Sequence, residues 1–372
     1  GITLPQIVSS GNFVPVFSKV ILVDGENSGE VFTILTSGYM GSTFRMLQIS
    51  AVVFPKYLEL FILSNKDVYR NRKTGSAIPH LNKELFFSTP FPLPPLAEQQ
   101  RIVDRIESLF AKLDEAKEKA QAVVDSFETR KAAILHKAFT GELTTKWREE
   151  HGVRMESWEK KSVGELCISL KYGTAKKSDA SGNVVVLRMG NLQQGEIDWS
   201  GLAYSNDPDD IERYKLFPGD VLFNRTNSAA LVGKTAIYRG EHPAIYAGYL
   251  IKLDYDHDKI IGDYLNYALN TLDAKKYCNS VKTDGVNQSN INAKKIGAYS
   301  FNVPNIPEQE KIVSVIQKLL SKEQQSKEAA EIVLDQIDLM KKSILARAFR
   351  GELGTNDPSE ESAVGLLKRT IL

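Results

Sequence analysis

The sequence is organised by the segment Leu93–Val103 (LPPLAEQQRIV), which returns 210 residues later as Val303–Val313 (VPNIPEQEKIV). The match extends without a gap, so that Phe91–Leu143 aligns with Phe301–Leu353, and about 22 of the 53 aligned positions are identical. A whole segment that recurs at a constant offset marks a duplicated unit. The chain therefore contains the same supersecondary element twice.

Each copy predicts a strand and turn followed by a long helix. The apolar runs Phe91–Leu96 and Phe301–Pro307 are ended by prolines, which cannot continue a helix. Apolar or small residues then recur at alternating spacings of four and three, at Ile102, Ile106, Leu109, Leu113, Ala116, Ala120, Val123, Phe127 and Ile134, and at Ile312, Ile316, Leu319, Ala330, Val333, Ile337, Met340 and Ile344. Glu323 and Ser326 interrupt the second series. This spacing is typical of a coiled-coil seam.

The repeated phrase that ends each helix indicates a glycine C-cap, at Ala138–Leu143 (AFTGEL) and Ala348–Leu353 (AFRGEL). Each helix is then about 40 residues, or roughly 60 Å, long. A lone helix would leave its apolar stripe in water, so we expect the two copies to pair with each other.

Strand-forming sequence fills residues 157–300. Its runs of β-branched and aromatic residues are Val184–Leu187, Val221–Phe223, Thr235–Tyr238 and Tyr249–Leu253, and a helix is expected near Ile261–Lys275. The region before the first repeat ends similarly, but it is shorter, so this domain is either shortened or begins partway through its fold. The predicted order is an α+β domain at 1–90, a repeat helix at 91–143, a charged linker at 144–156, an α+β domain at 157–300, a repeat helix at 301–353 and a tail at 354–372.

The composition argues against several classes of protein. With 47 basic and 46 acidic residues the net charge is +1, so DNA affinity would have to come from local patches or a partner. Cys167, Cys278 and the five histidines lack the spacing of a metal site, and we expect no metal and two inert buried thiols. No run approaches the ~20 apolar residues of a membrane span, and the start lacks a signal-peptide pattern, so a soluble cytoplasmic protein is expected.

The order of variable domain, helix entered through Pro-x-x-Glu-Gln, variable domain and second such helix resembles the specificity subunit of type I restriction-modification systems. The likeness is carried by Leu93–Val103 and Ala138–Leu143 with their copies Val303–Val313 and Ala348–Leu353. The resemblance implies an α+β fold with two target-recognition domains, joined by two long antiparallel coiled-coil helices and related by an internal pseudo-twofold repeat. It also implies that the two domains read the halves of a bipartite double-stranded DNA target.

Four loops carry the cationic, amide and hydroxyl side chains that reach base edges or phosphates. The candidate DNA-binding residues are Arg70, Arg72, Lys73, Ser76 and His80 in the first domain, and Lys171, Tyr172, Thr174, Lys176, Lys177, Arg225, Thr226, Asn227, Ser228, Lys234, Lys282, Asn287, Gln288 and Ser289 in the second. The alternative is structural: lysine-rich turns solvate a surface, and the amides of the last loop could cap the following helix.

Catalytic motifs are missing from the sequence. We find no cofactor loop with an Asn/Asp-Pro-Pro-aromatic motif of a methyltransferase, no nuclease carboxylate set and no Gly-Lys-Ser/Thr phosphate loop. The resemblance implies that catalysis comes from partners: methyltransferase (modification) subunits, usually two, that bind S-adenosylmethionine, and a restriction/translocase subunit. No cofactor is expected in this chain. Two alternatives stay open, a coiled-coil scaffold whose two β-rich heads bind protein or carbohydrate, and a self-contained restriction-methylation enzyme, which the missing motifs disfavour.

Overall fold

A computed structural model describes residues 11–74, 79–362, 364–365 and 367–368. Contacts divide the chain into two compact units, the first made of residues 1–124 with 329–372 and the second of residues 125–328. The long C-terminal helix therefore contributes residues to both units.

The first unit contains small antiparallel sheets and short helices beside the long helix of the first repeat. Its strands are β1 (Asn12–Val14), β2 (Lys19–Leu22), β3 (Val31–Thr33), β4 (Gly38–Met40) and β5 (Phe44–Met46), and its helices are α1 (Pro55–Ser64), α2 (Lys66–Asn71), α3 (Lys83–Ser88) and α4 (Leu96–Asp125). Strand β1 pairs with β4, and β2 lies between β3 and β5. Tyr57, Ile106 and Leu345 are buried in one core cluster, which packs the short domain onto both long helices.

The second unit is the larger α+β body. Its helices before the last are α5 (Phe127–Phe139), α6 (Thr145–His151), α7 (Val163–Leu166), α8 (Pro208–Tyr214), α9 (Gly262–Leu269), α10 (Leu272–Val281) and α11 (Ala293–Gly297), and the long helix α12 is Ile306–Ala348. Its strands are β6 (Glu159–Ser162), β7 (Cys167–Tyr172), β8 (Val184–Leu187), β9 (Leu192–Gln193), β10 (Glu196–Ile197), β11 (Tyr204–Ser205), β12 (Val221–Asn224), β13 (Thr226–Asn227), β14 (Thr235–Ile237), β15 (Ala244–Tyr246), β16 (Leu250–Tyr255), β17 (Thr283–Asp284), β18 (Ser289–Asn290) and β19 (Ser300–Val303).

The main sheet of the second unit has the strand order β14-β12-β16-β7 and is antiparallel. A second sheet, β11-β8-β15, contains the parallel pair β8 and β15. All four apolar runs predicted as strands lie in these two sheets, because their side chains are buried in the core between them and the helices. The helix expected near residues 261–275 is two helices, since the Thr271 side chain accepts a hydrogen bond from the Ala274 amide and caps α10.

Other sequence expectations differ from the structure. Phe301 lies in β19, which pairs with β6, but Phe91 lies in a segment without regular structure, so the prediction of a strand there is wrong. The first long helix is interrupted at Ser126 between α4 and α5. The charged segment expected as a linker contains α6, and Arg148 in this helix is buried.

The long helices run antiparallel within each unit. In the first unit, Lys341 Nζ lies 2.5 Å from Asp114 Oδ1, and Lys117 Nζ lies 3.3 Å from Asp338 Oδ1. In the second unit, Arg130 Nε lies 2.5 Å from Glu323 Oε2. Glu323, one of the two polar residues that interrupt the predicted seam, therefore forms an ion pair with the facing helix.

Of the 17 residues predicted for the seam, eight are buried and seven are half-buried, but two in the second half of α12 are exposed. Ala330 and Ile337 are buried, whereas Val333 and Met340 are 39% and 48% exposed, so their assignment to the seam is wrong. The buried face continues instead at Leu345. Leu345 follows Ile337 by eight residues, one more than a heptad. This spacing rotates the buried face around the helix relative to a strict seven-residue repeat.

The glutamate of each Glu-Gln pair binds the segment that follows the C-cap of the other repeat. In the second unit, Glu308 is fully buried and accepts hydrogen bonds from Thr144 Oγ1 at 2.7 Å and Trp158 Nε1 at 2.9 Å. Arg148 Nη1 forms an ion pair with Glu308 Oε1 at 2.7 Å. These contacts fasten the residues after Gly141 to the beginning of α12.

The same contacts recur in the first unit. Glu98 accepts hydrogen bonds from Thr355 Oγ1 at 2.7 Å and from the Asn356 amide at 2.8 Å, and it pairs with Arg101. The neighbouring glutamines bind backbone: Gln99 accepts from the Phe54 amide, as Gln309 does from the Ile261 amide in the second unit. The motif thus has a structural role that the sequence alone did not reveal.

Candidate nucleic-acid interface

A small three-stranded sheet brings two of the predicted loops of the second unit together. Strand β18 pairs with β13 on one side and with β17 on the other. The Asn290 amide donates to Thr226 Oγ1 at 2.8 Å, and the Ser289 hydroxyl donates to Asp284. Residues 225–228 and 282–290, which are far apart in sequence, therefore form one surface.

Tyr172 and Arg225 join a third loop to this surface. The Arg225 guanidinium lies 4.7 Å from the centre of the Tyr172 ring, in the range of a cation–π contact. Its Nη1 donates to the Gly248 carbonyl at 3.2 Å, and the Tyr172 hydroxyl accepts from the Ala293 amide at 3.0 Å. Arg225 Nε is buried without a hydrogen-bond partner among the described residues. These contacts hold the guanidinium in place on a rigid support.

The hairpin between β17 and β18 presents two exposed amide side chains to solvent. The Gly285 amide donates to the Gln288 carbonyl at 2.8 Å and closes the turn, while Asn287 and Gln288 are exposed. The alternative that amides of this loop cap the next helix is not what the structure shows, because Asn292 caps α11. The side chains of Asn287 and Gln288 thus remain available for an external partner.

Several predicted residues instead have internal partners. Thr174 is buried and hydrogen-bonds to Asp210, so its role is structural. Lys176 pairs with Asp207 at 2.6 Å, and the carboxylate raises the pKa of the lysine. Lys177 is exposed.

Lys171 pairs with Asp254 at 2.8 Å, and the hydrogen bond from this lysine lowers the pKa of the carboxyl group. Lys282 donates to the Ala229 carbonyl at 3.2 Å and lies 3.5 Å from Asp284. Both lysines therefore face carboxylates of their own unit.

The side chain of Lys234 does not join the Arg225 surface. Its Nζ donates to Gln193 Oε1 at 2.7 Å and lines a cleft of about 470 Å³ with Lys131 and Lys275. Burial lowers the pKa of Lys131 in this cleft. Asn227 is half-buried and Ser228 exposed at the end of β13, close to the hairpin.

The basic patch of the first unit is largely compensated by nearby acceptors. Arg70 Nη2 lies 3.1 Å from Glu30 Oε1, and Lys73 Nζ donates to the Glu26 carbonyl. His80 Nδ1 lies 2.7 Å from Asp24 Oδ1. These partners could not be read from the spacing of the cations along the chain.

Two further residues predicted to bind DNA belong to this patch. Arg72 is exposed, whereas Ser76 lies outside the described residues. The isolated bridge between Asp24 and His80 resembles the pairing of Thr226 with Asn290 in the second unit. Both units therefore support their candidate loop in a similar way.

The two cysteines are free thiols; Cys278 is buried as predicted, whereas Cys167 is only half-buried, at the start of β7. Desolvation raises the pKa of Cys167 to about 12 and that of Cys278 to about 11. Within the part of the chain that the structure describes, no three His, Cys, Asp or Glu side chains are grouped to hold a metal ion. None of the helices in the same residues is long and apolar enough to cross a membrane.

Comparison with known proteins identifies the family. The family model described as type I restriction modification DNA specificity domain matches residues 2–124 and 155–332. The StySPI specificity subunit of Salmonella potsdam is 28% identical over 309 residues, 81% of this chain, and the EcoKI specificity subunit of Escherichia coli K12 is 27% identical over 326 residues, 84% of this chain. The chain spans 66% and 68% of the length of these two relatives.

Solved structures share the fold. A chain from a study of complex assembly and conformational transition of the type I R-M system superposes with a TM-score of 0.69 at 18% identity, covering 91% of this chain and 85% of that one. The HsdS subunit from Thermoanaerobacter tengcongensis gives a TM-score of 0.59 at 20% identity, covering 91% and 84%. Because the family model covers residues 2–124 and 155–332, more than half of the sequence, the chain belongs to the family of type I restriction-modification specificity subunits.

Proposed function

We propose that this chain is the DNA-sequence-reading subunit of a type I restriction-modification complex and has no catalytic chemistry of its own. Each unit reads one half of a bipartite duplex target. The observation that carries the proposal, in a member of this family, is the small sheet in which the strand that follows Arg225 pairs with the hairpin that carries Asn287 and Gln288. Guanidinium and amide groups are the side chains that recognise guanine and adenine edges in the major groove.

The net charge of the chain supports a DNA-reading subunit that binds DNA together with partner subunits. The net charge of +1 gives no general attraction to phosphates, and many candidate lysines already face carboxylates. Methyltransferase subunits, which would bind S-adenosylmethionine, and a restriction/translocase subunit would supply both the remaining phosphate contacts and the chemistry. The relatives are specificity subunits of type I restriction enzymes, and one structural neighbour comes from a study of complex assembly of the type I R-M system, which supports these partners.

The proposal includes a coiled coil formed by the repeat helices. It is supported by the antiparallel ion pairs within each unit and by the burial of Ile102, Ile106 and Ile316 on the facing stripes. In such an arrangement the helices serve as the frame of the two reading domains.

The test is selection from randomised duplex DNA by the full chain mixed with its methyltransferase subunit, at moderate salt. A split motif with a fixed gap is expected. Arg225→Ala should abolish the base preference in one half-site and retain it in the other. The control Arg239→Ala removes a guanidinium paired with Glu196 and Asp263, and it should retain the base preference in both half-sites. Failure to enrich any motif would contradict the proposal and favour a scaffold that binds protein or carbohydrate.

A further inference from the structure

The hairpin β17–β18 is rigid at its base and free at its tip. At the base, Lys295 Nζ donates to Thr283 Oγ1 at 2.6 Å, and β18 is paired on both sides. The turn residues Gly285 to Gln288 are all exposed. A two-stranded ribbon of this kind fits the major groove of B-DNA, which is about 12 Å wide.

The side chain at the tip is apolar although its neighbours are polar. Val286 is 100% exposed, and it lies between Gly285 and the exposed amide side chains of Asn287 and Gln288. Val286 belongs to none of the unit's core clusters, so the fold does not require its isopropyl group. In the major groove only thymine presents a methyl group, and apolar side chains are the groups that contact it.

We propose that Val286 contacts the C5-methyl group of a thymine in the half-site read by the second unit, with Asn287 and Gln288 beside it at neighbouring base edges. This inference rests on the proposed function and names one determinant of its specificity. Val286 would distinguish thymine from a base with the same hydrogen-bonding edge but no methyl group, which hydrogen bonds from the amides alone do not do.

The experiment uses the full chain with its methyltransferase subunit and the half-site obtained by selection. Each thymidine of that half-site is replaced in turn by deoxyuridine, which differs only by the methyl group, and Kd is measured for the unaltered chain and for Val286→Ala. We expect one position at which deoxyuridine weakens binding about fourfold, as burial of one methyl group implies. In Val286→Ala the same replacement should have little effect.

The control variant Leu231→Ala removes an exposed apolar side chain from another loop of the same unit and should retain the fourfold difference. Because Val286 is fully exposed, its truncation should leave circular dichroism and the unfolding midpoint unchanged. Equal deoxyuridine effects in the unaltered chain and Val286→Ala, or a half-site without thymine, would overturn the inference while the proposed function stands. Absence of any selected motif would instead overturn the proposed function.

Discussion

The buried ion pair between Arg148 and Glu308 should be a major determinant of the stability of the second unit. The exposed fractions of the two side chains are 9% and 0%, and their charged atoms are 2.7 Å apart. Removal of one partner from a buried pair costs about 3–5 kcal/mol, because the other charge remains in a poorly solvated place. In Arg148→Ala, Glu308 keeps the hydrogen bonds from Thr144 and Trp158, so we expect a loss near the lower limit, about 3 kcal/mol.

Urea unfolding followed by tryptophan fluorescence measures this loss. The three tryptophans, Trp147, Trp158 and Trp199, all lie in the second unit, so the signal reports that unit. The matched control is Arg154→Ala, an exposed arginine of the same segment, which should change the free energy of unfolding by about 0.5 kcal/mol or less.

A double variant tests the reason for the loss. Arg148→Met combined with Glu308→Gln removes both charges but keeps an amide oxygen that can accept from the Trp158 indole, and it should recover part of the stability lost in Arg148→Ala, since no buried charge is left unpaired. A loss below about 1 kcal/mol in Arg148→Ala, or a double variant less stable than both single variants, would refute the reasoning.

Three further predictions concern the same fold. Gly141→Ala should destabilise more than Gly152→Ala in urea unfolding: both glycines have positive φ, but a Cβ at position 141 would lie 2.7 Å from a methionine sulfur whereas position 152 is open. At pH 8 neither thiol should react with a disulfide reagent until urea is added, because burial raises the pKa of both well above 8, and early reaction of the folded chain would contradict this. The pKa of Asp254 is lowered by the Lys171 hydrogen bond, so the stability that this carboxylate contributes is present above its usual pKa of 3.8 and is lost as pH falls below it. Lys171→Gln should therefore flatten the acid limb of a stability-against-pH curve, and an unchanged limb would speak against the pair.

Much of the architecture could be predicted because its signals are local and periodic. The recurrence of Leu93–Val103 identified the duplication, and apolar spacing identified the long helices and most of the facing residues. Glycine at positions 141 and 351 has positive φ at the ends of these helices, as the repeated C-cap phrase predicted. The sequence also indicated which loops have side chains suited to DNA.

The tertiary structure decided which of the side chains suited to DNA are available to contact it. Lys171 and Lys176 form ion pairs with carboxylates that are distant in sequence, and Thr174 is buried, whereas Arg225 packs on Tyr172 opposite Ile291, at the base of the hairpin. It also gave Glu98 and Glu308 their partners, which lie 150 residues or more away along the chain except for Arg101. The physical reason is that helix periodicity depends on neighbours three and four residues apart, while burial and ion pairing depend on contacts that exist only after the chain has folded.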